Sequence, residues 1–144
     1  PRIVQGASAK ALMLSCMDYR LIDDTVRFMD SQGLQNNYDH VVLAGASLGV
    51  MSDKFAGWGD TFWQHLEIAI QLHHVEEVIA VDHRDCGAYR LALGADAVAS
   101  PEKETSAHAE ILADFSRAVK ARHGTLGVQA YLMALDGSVE TIPV

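Results

Sequence analysis

Four short apolar runs mark the chain near residues 11–16, 40–44, 76–81 and 127–134, and the segments between them change period. Ala11 to Cys16 is apolar without alternation, the pattern of a strand covered on both faces. From Leu21 to Gln32 the spacing is helical, with Ile22, Val26 and Met29 on one face. Asp23 and Asp24 suit the positive N-terminal end of that helix, and Gly33 is placed to stop it. His40 to Ala44 predicts a second short buried strand, followed by a flexible loop over Gly45-Ala46-Ser47-Leu48-Gly49. Thr61 and Gln64 have capping-box spacing, and Phe62, Leu66, Ala69 and Ile70 continue a helical face. Glu76 to Val81 predicts the third strand, and Ala95 to Glu104 is a polar interruption. Ile111, Phe115, Ala118 and Arg122 mark a last helix ending at Gly124. Gly127 to Ala134 predicts a fourth strand, turned by Asp136-Gly137 into Ser138 to Ile142.

Strand and helix alternate three times, which predicts an α/β fold: a mostly parallel sheet flanked by helices, closed by a C-terminal antiparallel hairpin strand. Ligands of such sheets bind beyond the carboxyl ends of the strands, where the winding reverses. In the order 2-1-3-4, strands one and three are neighbours, and the residues that follow them emerge side by side. The 144 residues suit a single domain with a sizeable core. A net charge of −8 argues against nucleic acid or an anionic membrane as partner. Apolar stretches of about ten residues are too short to span a bilayer. No export leader is recognisable, and two cysteines are too few for a disulfide framework, so the expected setting is a reducing cytoplasm.

Those two cysteines carry the chemistry. Cys16 closes the first run, and Cys86 follows the third in Asp82-His83-Arg84-Asp85-Cys86. Two thiolates and one imidazole, from Cys16, Cys86 and His83, form a ligand set that zinc accepts, and three ligands leave one position for chemistry. Water at that position has its pKa lowered toward about 7. Thiolate donation weakens this effect, and a nearby acceptor that aims the oxygen restores part of it. Asp18 is two residues from Cys16 and reaches the same pocket, while Arg20 holds its carboxylate ionised and oriented. In a closed form Asp18 would itself fill the fourth zinc position.

Cys16-Met17-Asp18-Tyr19-Arg20 and His83-Arg84-Asp85-Cys86-Gly87-Ala88 resemble the C-x-D-x-R and H-x-x-C-G motifs of the beta-class carbonic anhydrases. The resemblance extends to the Glu67-Ile68-Ala69-Ile70 helix and the closing Tyr131 to Gly137 hairpin. It implies a zinc lyase that hydrates carbon dioxide reversibly to bicarbonate through zinc-bound hydroxide. Cys16, His83 and Cys86 would be metal ligands, Asp18 and Arg20 the catalytic dyad, and Gly45, Ala46 and Gly87 the substrate-side backbone. It also implies a homodimer or higher homo-oligomer with sites lined by both subunits.

The chain also departs from the usual pattern of those enzymes. The family's Arg-Asn-Ala-Gly-Asn segment is here Leu43-Ala44-Gly45-Ala46-Ser47, and the glycine before the metal histidine is Asp82. Only about ten residues precede the first strand, which predicts that the family's N-terminal arm is largely absent. These changes leave two alternatives open: hydrolysis of carbonyl sulfide or carbon disulfide on the same zinc, and a non-catalytic zinc-binding role. A metal-free phosphate-binding reading of the Gly45–Gly49 loop is the third. His73 and His74 read as solvated or capping, and His40, His65, His108 and His123 have no motif around them. Trp58, Phe62 and Trp63 read as core or subunit interface.

Overall fold

The computed structural model describes residues 6–144. Its sheet has the order β2-β1-β3-β4-β5, built from β1 (Ala11–Ser15), β2 (Tyr38–Val42), β3 (Glu77–His83), β4 (Gly127–Met133) and β5 (Val139–Thr141). The first four strands run parallel and β5 returns antiparallel to β4, as the alternation predicts. All five residues of β1 are buried, because it lies between β2 and β3 and is covered on both faces. Side chains alternate across the sheet. Leu12, Leu14, Val78, Ala80, Ala130 and Leu132 face one core, packed against α3 (Trp58–His73) and α5 (Pro101–Arg122). Ala11, Met13, Ile79, Val81 and Met133 face the other, covered by α1 (Ile22–Ser31).

Several boundaries depart from the expected ones. The second strand begins at Tyr38 rather than His40, and only Val41 of it is buried. It is an edge strand with one neighbour, so its apolar run does not translate into two covered faces. Helix α1 buries Thr25 and Met29, following the buried Leu21, while Ile22 and Val26 face outward. The loop at Gly45–Gly49 tightens into α2 (Ser47–Met51). Helix α3 starts at Trp58 behind Gly57 in the left-handed region, and Thr61 bonds back to the Gly57 carbonyl instead of capping. Helix α5 starts at Pro101, inside the polar stretch: Ser100 caps it through the Lys103 N–H and Pro101 occupies its first turn.

Helix α4 (Gly87–Leu93) begins directly after Cys86. Registers fix what meets at the carboxyl end of the sheet. Ser15 pairs with both Val42 and Val81, so Cys16 leaves β1 beside the last two residues of β3, Asp82 and His83. No helix among the described residues is long and apolar enough to cross a membrane.

Candidate metal centre

Cys16, His83 and Cys86 each turn one ligand atom toward the same point, and these atoms lie within 4.8 Å of one another. That is the reach of one cation at zinc–sulfur distances of about 2.3 Å. Each ligand has its own local support. The Cys16 Sγ accepts the backbone N–H of Gly45 at 3.3 Å. The His83 Nδ1 donates to the Arg84 carbonyl at 2.6 Å, which leaves Nε2 as the atom with the free lone pair. Among the described residues Nε2 is buried with no hydrogen-bond partner, an arrangement that is costly unless something else satisfies it. Cys86 ends the turn from β3 and precedes the first residue of α4.

The acid–base properties of the cluster fit a cation. The Cys16 thiol is pushed down, first by the hydrogen bond from Cys86, then with help from His83 and the Gly45 N–H. Cys86 moves the other way, raised by the same contact with Cys16 and by burial. Burial opposes charge on His83, but the Cys16 sulfur and the Arg84 carbonyl outweigh it and raise the ring. One thiolate beside one thiol is what charge repulsion allows; ionising both requires a positive charge between them. An orphaned imidazole nitrogen and two adjacent sulfurs thus fit zinc, with His83 Nε2 and the Sγ atoms of Cys16 and Cys86 as donors.

Asp18 stands beside this cluster. It caps the short 3-10 turn Tyr19–Leu21 by accepting the Arg20 N–H at 2.9 Å. The Arg20 side chain closes on the same carboxylate, Nε to Oδ1 at 3.0 Å and Nη2 to Oδ2 at 2.8 Å. The guanidinium holds the Asp18 carboxyl down at about 2. Oδ2 faces the ligands, 3.7 Å from His83 Nε2. Arg20 is anchored from behind: Nη1 donates to Asp85 Oδ2 and Nη2 to the Asp85 carbonyl, both at 3.1 Å. Asp85 itself sits at φ +54°, and its N–H donates to Glu104 at 2.6 Å. The turn between His83 and Cys86 is therefore tied to α5.

A cavity of about 530 Å³ opens over the cluster, walled mainly by Met17, Tyr19, Ala44, Phe55, Trp58 and Leu91. Phe55 and Trp58 stack at 4.3 Å. Gly87 is also in the wall, and a side chain there would enter open space. Gly45 and Ala46 stand behind Cys16 instead: Gly45 spends its N–H on the sulfur, and Ala46 is fully buried in the core. Phe62 and Trp63 are core, whereas Trp58 belongs to the cavity, a split that spacing alone cannot make.

His73 pairs with Asp39 and His40 with Ser15, both at 2.7 Å. His108, with no motif around it in the sequence, is buried against Asp82 at 2.7 Å, behind the ligands. Asp82 and Ser47 were each legible as departures from the motifs the chain resembles, but nothing in the sequence joins them, and Tyr89 and His108 carried no signal.

The family described as "Putative carbonic anhydrase" matches residues 7–142. An uncharacterized protein of Rickettsia conorii is 43% identical over 134 residues, which is 93% of this chain and 72% of the relative. The fold is similar to that of a beta-carbonic anhydrase of Aspergillus fumigatus, with a TM-score of 0.62 and 16% identity over 94% of this chain and 76% of the other. A tetrameric beta-carbonic anhydrase of Sordaria macrospora aligns with a TM-score of 0.59 and 15% identity over 96% and 83% of the two chains. The sheet order, the Cys-His-Cys cluster and the match across nearly the whole length agree: the chain belongs to this carbonic anhydrase family.

Proposed function

We propose that the protein is a zinc-dependent lyase that interconverts carbon dioxide and bicarbonate. The observation that carries this reading is the convergence of Cys16, His83 and Cys86 beside an Asp18 carboxylate whose Oδ2 faces them. Zinc bound by the three ligands would supply a nucleophilic oxygen at neutral pH by acidifying water.

The chain's own residues do the rest. Asp18 accepts a hydrogen bond at Oδ2 from the attacking oxygen and so aims its lone pair at the substrate carbon. Arg20 keeps Asp18 ionised and occupies both carboxylate oxygens from the far side, which holds the carboxylate in one rotamer. Three hydrogen bonds from Arg20 also restrain Asp18 from swinging onto the metal, and this favours the open form. Gly87 leaves room for a linear triatomic substrate, and the Phe55–Trp58 stack with Met17 and Leu91 provides an apolar, water-poor approach.

The apolar wall supports a second reading, hydrolysis of carbonyl sulfide or carbon disulfide. Ala44, in the cavity wall, stands where the beta-class segment carries a polar residue, so a less polar electrophile suits the cavity. Stopped-flow hydration by zinc-loaded protein separates the two. A rate above buffer between about pH 7 and 9 supports hydration; its absence with sulfide release from either sulfur compound favours the second. Absence of both with full zinc would leave a non-catalytic zinc protein. The exposed Met17, Tyr19 and Leu91 around the cavity mouth support a homo-oligomer whose partner covers this rim, in a cytoplasmic setting that keeps the thiols reduced.

A further inference from the structure

Two of the places where this chain departs from the beta-class motifs it resembles touch each other. Ser47 stands in the place of the last asparagine and Asp82 in the place of the glycine before the metal histidine. The Ser47 N–H donates to Asp82 Oδ1 at 3.2 Å, and its hydroxyl lies 2.9 Å from Oδ1 and 2.7 Å from Oδ2. The Tyr89 hydroxyl donates to Oδ2 at 2.6 Å and His108 Nδ1 to the same oxygen at 2.7 Å. Asp82 has no solvent contact through its side chain. A carboxylate buried this deeply persists only when its oxygens are fully bonded, and Ser47 supplies two of the four donors, its N–H and its hydroxyl.

We propose that Asp82 is a positioning residue for the metal ligands: it clamps the Gly45–Ala46–Ser47 turn so that the Gly45 N–H is presented to the Cys16 sulfur. This rests on the reading of the cluster as a metal site. The turn needs a clamp because its backbone is unfavourable. Gly45 lies at φ +78°, and Ala46, which has a Cβ, lies at φ +49° and ψ −109°. The turn is also pressed onto the second cysteine's helix. A Cβ built on Gly45 would come within 3.2 Å of that of Ala88, two residues after Cys86. Released from Asp82, the turn relaxes away from Cys16 and takes its N–H with it.

An N–H donated to a thiolate withdraws charge from the sulfur. In a two-thiolate site this offsets the strong donation that otherwise weakens the acidification of water, so the clamp acts on the metal through the outer shell. A purely structural anchor joining β3, α2, α4 and α5 would explain the same hydrogen bonds, and the experiment must separate the two.

Ser47→Ala and Tyr89→Phe each remove one hydroxyl from Asp82, but only Ser47 belongs to the turn. In metal-free protein, amide exchange at Gly45 read by NMR is expected to be about tenfold faster in Ser47→Ala, the worth of one net hydrogen bond. Tyr89→Phe should leave it unchanged. In cobalt(II)-loaded protein, Ser47→Ala and Asp82→Asn are expected to move the thiolate-to-cobalt charge-transfer band to lower energy. Their zinc affinity, by competition with a chromogenic chelator, should fall about 10- to 100-fold. Wild-type exchange and band position in Ser47→Ala, or equal changes in Tyr89→Phe, would overturn the proposal. A wild-type protein that takes up no cobalt would count against the metal site alone, since the Gly45 exchange still judges the clamp.

Discussion

At the residue scale the site's behaviour turns on Asp18, a small group with one strong partner. Because Arg20 donates to both of its oxygens, the carboxylate stays charged and fixed, and it is not one of the three groups that converge as candidate ligands. Asp18→Ala is therefore expected to keep its zinc, measured by elemental analysis, and to lose about 10²-fold or more of the hydration rate in stopped flow. The same pair has a signature in acid. Asp18 ionises at about 2 in the folded chain, below the value near 3.9 of an unfolded carboxylate. Its contribution to stability is thus present in full above about pH 4 and disappears as pH falls toward 2. Urea unfolding of Asp18→Asn across that window should show a shallower loss of stability than the wild type.

Among elements, α2 illustrates how little room the site's surroundings have. A Cβ on Gly49 would lie 2.5 Å from the Ala44 carbonyl, and one on Gly59 2.7 Å from the Val50 carbonyl. These contacts let α2 nest between the β2 exit and the start of α3. Gly49→Ala should destabilise the fold by about 1–3 kcal/mol through overpacking, seen as a lower urea midpoint. At α5 the effect is a cap rather than a clash: Ser100→Ala should cost about 1 kcal/mol, read in the same assay. The elements were legible where period and punctuation agreed, as in β1, β3 and the Asp136-Gly137 hairpin. They were misplaced where tertiary packing overrode the pattern. Ile22, Val26 and Met29 look like one buried stripe, but of the three only Met29 turns inward, joined by Thr25 and following the anchor at Leu21.

The whole molecule joins the site to folding. Three ligands from two strand ends and a turn come together only in the folded chain, so a metal that binds them stabilises it. Zinc at a hundredfold its dissociation constant should add about 2.7 kcal/mol and raise the thermal midpoint. A chelator should reverse this, and Cys86→Ser should lose most of the response. Assembly is testable at the same scale. If the exposed Met17, Tyr19 and Leu91 rim is covered by a partner, sedimentation will give an oligomer, and Tyr19→Glu will shift it toward monomer.

Period, turn chemistry and short spacings suffice to read the parallel α/β sheet, the family motifs and the residue types at the site from the chain alone, whereas the order 2-1-3-4 is an arrangement common to such sheets that no local spacing encodes. Cys16, Asp18 and Arg20 could be read together since they lie within one turn's reach. Their surroundings are set by packing between distant segments: Asp85 behind Arg20, the Phe55–Trp58 wall, and the Asp82 cluster that draws on Ser47, Tyr89 and His108. Those partners are contributed by separate helices and loops, and no local pattern records which distant side chains a buried carboxylate will require to satisfy its oxygens.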